Sequence, residues 1–385
     1  MKKILIIEDD PVVANVYRNK LAVDGYQTEV AADGEAGLKM VETFRPDLII
    51  VDLMLPTISG VDVIRETRRT AGFEKTPVIV LSNTYLTNLV QEAWRAGASK
   101  CLSKTDCAPK DVIAAVRQLI GDSGAMTHAA APTPEADAAK EAEHHEELRR
   151  TFTENLPATL QNLRASIQSL VKAANDLERQ KLVFELYKQV HALNGNASVA
   201  GFGLIAHMAS ALEAMLKEIY EKVKNINPST IRTAANAVDF LGFLFQRGTA
   251  ASHQDVAGAS VLVVDDEVIS RRAITFATDK AKLKSTALDD PHKALELATT
   301  TDFDLIFLDV DMPGMTGFEL CTKIRALPQH KKTPVVFVTS LTDFESRANS
   351  INAGGNDFIG KPFLFIEMTV KALIHVLRKK LTPVP

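Results

Sequence analysis

Five chemically matched positions occur twice in this chain, in the same order and at one constant offset. Glu8, Asp9, Asp52, Ser82 and Lys104 return as Asp265, Asp266, Asp309, Thr339 and Lys361. Pro56 and Gly60 return as Pro313 and Gly317 at that same offset. An acid pair, a further acid, a hydroxyl and a lysine form a set able to move a phosphoryl group. Clustered carboxylates hold a divalent cation, and Mg2+ favours one or two carboxylates with phosphoryl oxygens and water. An aspartate facing that cation is a nucleophile toward a phosphoryl donor and yields an acyl phosphate. The cation and the lysine then offset charge on the transferring group, chiefly by position and electrostatics. A Ser or Thr hydroxyl bonds the new phosphoryl oxygen only after it arrives, which separates two states as a switch requires.

The elements that must position these residues are strands. Lys3–Ile7, Leu48–Val51, Val78–Leu81 and Ser99–Ser103 read as strands, the middle ones continuously apolar as in a parallel sheet buried on both faces. Pro11–Val23, Glu35–Phe44, Val61–Arg69 and Pro109–Ile120 read as crossover helices. Alternation of this kind implies a doubly wound α/β sheet with its ligands at the carboxyl ends of the strands. The acids at 8–10, Asp52, Ser82 and Lys104 all fall at such ends. Residues 258–381 repeat the layout.

Between the copies lies something different. Residues 121–145 shift to Ala, Pro, Glu and Thr without apolar periodicity, and read as a flexible linker with a nascent helix at its end. His128, His144 and His145 lie there without the Cys or Asp framework of a metal site, so they read as solvated. Glu146–Ala174, Leu177–Val199, Leu204–Val223 and Pro228–Gln246 read as antiparallel helices of an all-α bundle. The expected organisation is an α/β domain over 1–121, a linker over 122–145, a helical bundle over 146–250, a linker over 251–257 and a second α/β domain over 258–385.

Composition narrows the function classes. A length of 385 residues suits two or three domains. Three cysteines, Cys101, Cys107 and Cys321, make no disulfide framework and suggest a reduced cytoplasmic compartment. Met1-Lys2-Lys3 and the apolar run after it are interrupted by Glu8, Asp9 and Asp10, which favours a buried strand over a signal peptide. No apolar run reaches membrane-span length, so no membrane role is expected. The formal net charge is −4, and no segment has the basic excess of a nucleic-acid binder.

Leu5-Ile6-Ile7-Glu8-Asp9-Asp10 with Asp52-Leu53-Met54-Leu55-Pro56, and Val263-Val264-Asp265-Asp266 with Asp309-Val310-Asp311-Met312-Pro313, resemble the receiver domain of two-component response regulators. Gly360-Lys361-Pro362-Phe363 matches that family's lysine loop. The resemblance covers 1–120 and 258–381 and implies two flavodoxin-like (βα)5 folds. It implies Asp52 and Asp309 as phosphoacceptors, with Lys104, Lys361, Ser82 and Thr339 assisting. It also implies Mg2+ held by Glu8, Asp9 and Asp52 and by Asp265, Asp266 and Asp309, with the backbone carbonyls of Met54 and Asp311. The first copy departs at Glu8 for Asp, Ser82 for Thr, and Thr105 where proline usually follows the lysine. Receivers also place an aromatic three residues before the lysine, which is Phe358 in the second copy and Cys101 in the first.

Within Leu186–Val199, at ~100° per residue, Val183, Leu186, Val190, Leu193 and Ala197 form one stripe and His191 lies far outside it. Gly195 stands one turn on and Lys188 one turn back. A histidine so placed faces out, beside a glycine that lets another protein approach. The pattern resembles the histidine phosphotransfer (Hpt) domain, a four-helix bundle with one exposed phosphorylatable histidine. Asn194 stands where that family usually has lysine, and Lys188 is the candidate electrostatic substitute. His207, near Leu204, Met208 and Ala211, reads as structural.

The expected protein is a receiver–Hpt–receiver phosphorelay component of bacterial type. It would take phosphoryl groups on Asp52 or Asp309 from a sensor histidine kinase and pass them through His191 to a downstream receiver or Hpt protein. It would not be an enzyme beyond its own phosphorylation and dephosphorylation. No kinase ATP-binding domain, DNA-binding or cyclase output is expected within the chain. One alternative is a phosphorylation-dependent adaptor in which the bundle is a spacer or homodimerisation element. Another is a phosphate sink in which one receiver drains the other through His191, and a third is a fragment of a longer effector.

Overall fold

In the computed structural model, residues 1–82, 87–104, 109–121, 134–248, 258–340 and 353–382 are described. They form two compact units, residues 1–159 with 188–210, and 160–187 with 211–385.

The first unit contains a five-stranded parallel sheet in the order β2-β1-β3-β4-β5. Its strands are β1 (Lys3–Ile7), β2 (Gln27–Ala31), β3 (Leu48–Asp52), β4 (Val78–Ser82) and β5 (Lys100–Ser103). The helices α1 (Pro11–Val23), α2 (Gly34–Phe44), α3 (Gly60–Arg69), α4 (Thr87–Ala96) and α5 (Pro109–Ile120) alternate with them. β3 and β4 are buried at every position, as strands covered on both faces must be. Edge strand β2 and helix α4 are not among the elements expected from the sequence. β2, Gln-Thr-Glu-Val-Ala, is exposed along much of its length and lacks the apolar run that marks its neighbours. Asp10 starts α1 by accepting hydrogen bonds from the Val12 and Val13 amides, with Pro11 at the first helical position. That cap fixes where the chain turns away from the acids at 8 and 9.

In the second unit β6 (Ser260–Val264), β7 (Lys284–Leu288), β8 (Leu305–Asp309), β9 (Val335–Thr339) and β10 (Asp357–Gly360) form a sheet in the order β10-β9-β8-β6-β7. Read along the chain this is the same flavodoxin-like topology. α10 (Val268–Lys280), α11 (Pro291–Thr300), α12 (Gly317–Ala326) and α13 (Phe365–Leu381) accompany it. A Cβ on Gly60 would stand 2.0 Å from the Asp52 carbonyl oxygen, and one on Gly317 2.0 Å from that of Asp309. The loop after each acceptor strand must fold back this closely, which explains why glycine occurs at both positions.

Between the sheets the chain forms the four helices of the expected all-α bundle: α6 (Pro134–Lys172), α7 (Asp176–Val199), α8 (Gly203–Glu221) and α9 (Pro228–Gly248). The first helix begins inside the stretch read as linker. Its opening residues lack apolar periodicity but are rich in Ala and Glu, strong helix formers, and Pro134 stands at the first helical position. Val183, Leu186, Val190, Leu193 and Ala197 are buried, as the stripe on α7 requires.

Candidate functional site

Each acid cluster forms where strands end. Glu8 and Asp9 follow β1, Asp52 closes β3, Ser82 closes β4 and Lys104 follows β5. Since β1, β3, β4 and β5 are hydrogen-bonded neighbours in register, residues up to 96 positions apart meet at one edge. Lys104 Nζ lies 2.8 Å from Asp52 Oδ2 and donates to Glu8 Oε1 at 3.0 Å. Glu8, Asp52, Ser82 and Lys104 are all buried. Burial opposes the charge on the Lys104 ammonium, yet Asp52 and Glu8 outweigh it and hold its pKa well above the ordinary value. Burial likewise pushes the Asp52 carboxyl up, but Lys104 and His191 pull it below the usual range. Glu8 goes the other way, raised to about 7, because desolvation exceeds the help from Lys104 and Asp52 adds repulsion.

This set fits Mg2+, a hard cation that takes oxygen ligands. Asp9 Oδ1 and Glu8 Oε2 are buried and accept no hydrogen bond among the described residues. Glu8 Oε2 lies 2.9 Å from Lys104 Nζ, but the hydrogen bond is made to Oε1. Oxygens left in this state have coordination to spare for a cation. Met54, expected to add its carbonyl, donates its amide to Asp52 Oδ1 at 3.3 Å.

His191 corrects the expectation of an exposed histidine. It faces away from the apolar stripe of α7, but it is only 8% exposed. Its Nε2 lies 3.4 Å from Asp9 Oδ1 and 3.5 Å from Asp52 Oδ2. Helical periodicity gave the direction of the side chain and could not say what would cover it. Nor does Gly195 lie open to a separate protein: a Cβ there would meet Val13 Cγ2 at 2.9 Å and Asp10 Oδ2 at 3.4 Å, both at the start of α1. Asn194 is buried, Lys188 is exposed one turn before His191, and His207 is half-buried on α8. Ser198, two turns beyond His191, donates its hydroxyl to the Lys104 carbonyl at 2.5 Å. Sequence reading missed this residue, since one serine on a helix carries no signal of its own.

In the second unit Asp265 and Asp266 follow β6, Asp309 closes β8, Thr339 closes β9 and Lys361 follows β10. Lys361 Nζ stands 3.0 Å from Asp265 Oδ2 and 3.1 Å from Asp309 Oδ2. Asp265, Asp266 and Asp309 bring ligand atoms together in the same way, and this cluster also matches a Mg2+ site. Asp265 and Thr339 are buried while Asp266 and Asp311 are exposed. Asp309 is raised above its usual pKa, first by burial and then by Asp265, with Lys361 only partly opposing.

The residues three before each lysine also differ. The Arg232 guanidinium of α9 lies 5.0 Å from the centre of the Phe358 ring. Cys101 is half-buried, and desolvation pushes its thiol up to about 11, which suppresses the reactive thiolate. Thr105, Cys107 and His128 lie outside the described residues, as do the side chains of His144 and His145. No helix among the described residues is long and apolar enough to cross a membrane.

The family model for the response regulator receiver domain matches residues 4–131 and 261–373, more than half of the chain. The DNA-binding response regulator MtrA of Mycolicibacterium smegmatis is 35% identical over 116 residues, 30% of this chain and 49% of that protein. The transcriptional regulatory protein ResD of Bacillus subtilis is 34% identical over 117 residues, 30% of this chain and 48% of that one. The chain matches about half the length of these two relatives. Among solved structures, the chemotaxis protein CheY4 of Vibrio cholerae is 34% identical, covering 31% of this chain and 99% of that one, with a TM-score of 0.30. The receiver domain of a Pseudomonas aeruginosa sensor histidine kinase, solved with magnesium coordinated in its active-site cleft, is 26% identical. That match covers 31% of this chain and 98% of the other, with a TM-score of 0.29.

Proposed function

Because this chain belongs to the response regulator family through two receiver domains, we propose that it is a phosphorelay protein in which Asp52 and His191 exchange a phosphoryl group. The observation that carries this reading is the approach of His191 Nε2 to within 3.5 Å of Asp52 Oδ2. In the forward direction the P–O bond to Asp52 breaks as a P–N bond to Nε2 forms, returning the carboxylate. Lys104, already on Asp52, is placed to follow charge on the transferring oxygens. Mg2+, when bound by Glu8, Asp9 and Asp52, supplies charge neutralisation at those oxygens. Gly195 permits the close approach of α7 to α1, and Ser198 ties that helix to the Lys104 backbone.

The second receiver is then the one suited to an outside donor, a sensor histidine kinase. Asp266 is exposed and Lys361 is 18% exposed, against 6% for Lys104. An adaptor role for this receiver draws support from Arg232 lying over Phe358, which joins a residue beside the lysine loop to a bundle helix.

The relay reading is tested by loading the full chain with radiolabelled phosphate from a histidine kinase or a small phosphodonor in Mg2+. The label is then sorted by its chemistry, since acyl phosphate is base-labile and phosphohistidine acid-labile. Wild type should carry both, His191→Gln only the acyl form, and Asp52→Ala should lose the acid-labile fraction. Acid-labile label of equal size in Asp52→Ala would sink Asp52–His191 exchange.

A further inference from the structure

One hydroxyl beside the second acid cluster has no counterpart in the first. Ser270 lies in the first turn of α10 and is 5% exposed. A serine there ordinarily caps the helix or bonds back to its own backbone. Among the described residues Ser270 does neither: α10 starts at Glu267 without a side-chain cap, and the Ser270 hydroxyl donates to Asp265 Oδ2 at 2.5 Å. The same oxygen lies 3.0 Å from Lys361 Nζ, and Oδ1 accepts from the Glu267 amide at 2.9 Å. Arg271 Nη1 donates to the Asp265 carbonyl at 2.6 Å, so the backbone and side chain of this acid are both tied to α10. At the matching position receiver 1 has Val13, which offers no donor, and its longer Glu8 accepts from Lys104.

We propose that Ser270 is a positioning residue of receiver 2, holding the Asp265 carboxylate in place for the cation that serves phosphorylation of Asp309. Asp265 is fully buried, so bulk water does not replace a donor that is removed. Without the hydroxyl, Oδ2 is left with Lys361, which is shared with Asp309 Oδ2 at 3.1 Å. The carboxylate is then free to turn with the lysine, away from the point where Asp265, Asp266 and Asp309 gather their ligand atoms. A hydrogen bond of this kind orients a metal-binding carboxylate without touching the metal, and losing one weakens binding about 10-fold or more. The inference rests on Asp309 being a phosphoacceptor. Cation binding is read separately from phosphorylation, so the two can fail apart.

The test is Mg2+ titration of the full chain without a phosphodonor, read by NMR at the Asp266 and Asp309 amides, in wild type, Ser270→Ala and Ser270→Thr. The Asp9 and Asp52 amides report receiver 1 in the same sample. Ser270→Ala should weaken Mg2+ binding at receiver 2 about 10-fold and leave receiver 1 unchanged. Ser270→Thr restores a hydroxyl and should bind as wild type does. With a small phosphodonor, labelling of Asp309 in Ser270→Ala should fall at low Mg2+ and recover at saturating Mg2+. A serine that only supports the fold would instead lower the melting temperature and leave Mg2+ affinity intact. Unaltered Mg2+ affinity in Ser270→Ala, or an equal loss in Ser270→Thr, overturns the proposal. If Ser270→Ala does not fold, Ser270→Cys takes its place, similar in size with a weaker donor. Its Mg2+ affinity should drop, and wild-type affinity there overturns the proposal. Mg2+ binding that follows this order without label on Asp309 supports the role of Ser270 and overturns the acceptor reading alone.

Discussion

The two receivers share topology, acid pair, acceptor, hydroxyl and lysine, yet their acceptors are in opposite electrostatic states. Burial pushes both carboxyls up. At Asp52 the Lys104 ammonium and, when protonated, the His191 imidazole more than reverse it. At Asp309 the one cation among the described residues is Lys361, shared with a buried Asp265 that itself repels the acceptor. The motif therefore does not set the charge state of the acceptor; the number of cations per carboxylate does. Receiver 1 draws one of these neighbours, His191 of α7, from outside the α/β fold.

The largest expected difference concerns stability. In receiver 2, Lys371 of α13 is 1% exposed and donates to Asp357 at 2.6 Å, with His375 Nε2 3.5 Å from the same oxygen. Receiver 1 has Lys100 and Ala114 at the corresponding positions. Lys371→Ala leaves a buried carboxylate short of its main partner and should cost about 3–5 kcal/mol. Denaturant unfolding with separate probes in each unit should show only receiver 2 affected. Burial raises Asp357, but the His375 hydrogen bond and the Lys371 charge outweigh it and hold the carboxyl below the ordinary range. A carboxyl depressed on folding contributes fully above its unfolded value of 3.8 and loses that contribution as pH falls below it. Acid unfolding of receiver 2 should flatten in Asp357→Asn, and an unchanged profile would count against the pair.

Next come the glycines that the receivers share. Gly60→Ala and Gly317→Ala each force a Cβ against the carbonyl of the acceptor residue and should each cost about 3 kcal/mol. Equal losses by calorimetry would show the scaffolds equivalent, and unequal ones would locate part of the difference in the scaffold itself.

Gly195→Ala has a smaller effect with opposing parts. Alanine favours the α7 helix by about 1 kcal/mol, while its Cβ pushes against Val13 and Asp10. Thermal stability should hold while Asp52–His191 exchange slows about 10-fold, equivalent to ~1.4 kcal/mol. Labelling of Asp309 should not change, since the substitution lies outside that unit.

Arg232→Ala should have the smallest effect. Removing a cation from the Phe358 ring costs about 0.5–1 kcal/mol, detectable as a shift in receiver 2 unfolding and as altered fluorine NMR of labelled phenylalanine. Receiver 1, with Cys101 at the equivalent place, should show nothing.

Much of this arrangement was legible in the chain. The acids and lysines could be placed at strand ends because apolar runs mark buried parallel strands and the crossover topology gathers those ends together. Edge strand β2 was missed because half of it faces solvent. The start of α6 was read as no more than a nascent helix at the end of a linker, because helix propensity, not an apolar stripe, drives it. Ser198 and Arg232 left no trace in the pattern, since each acts through one contact with a residue far along the chain.

By itself the sequence determined two sets of phosphoryl-transfer groups and a histidine directed away from its helix's apolar stripe. Both follow from local rules, strand alternation and helical period. Only the tertiary structure decided what that histidine meets. Its burial against Asp9 and Asp52 depends on Gly195 leaving room for Val13 and on Ser198 reaching the Lys104 carbonyl. Those are matters of surface fit between segments 94 or more residues apart, and helical periodicity within a single segment carries no information about them.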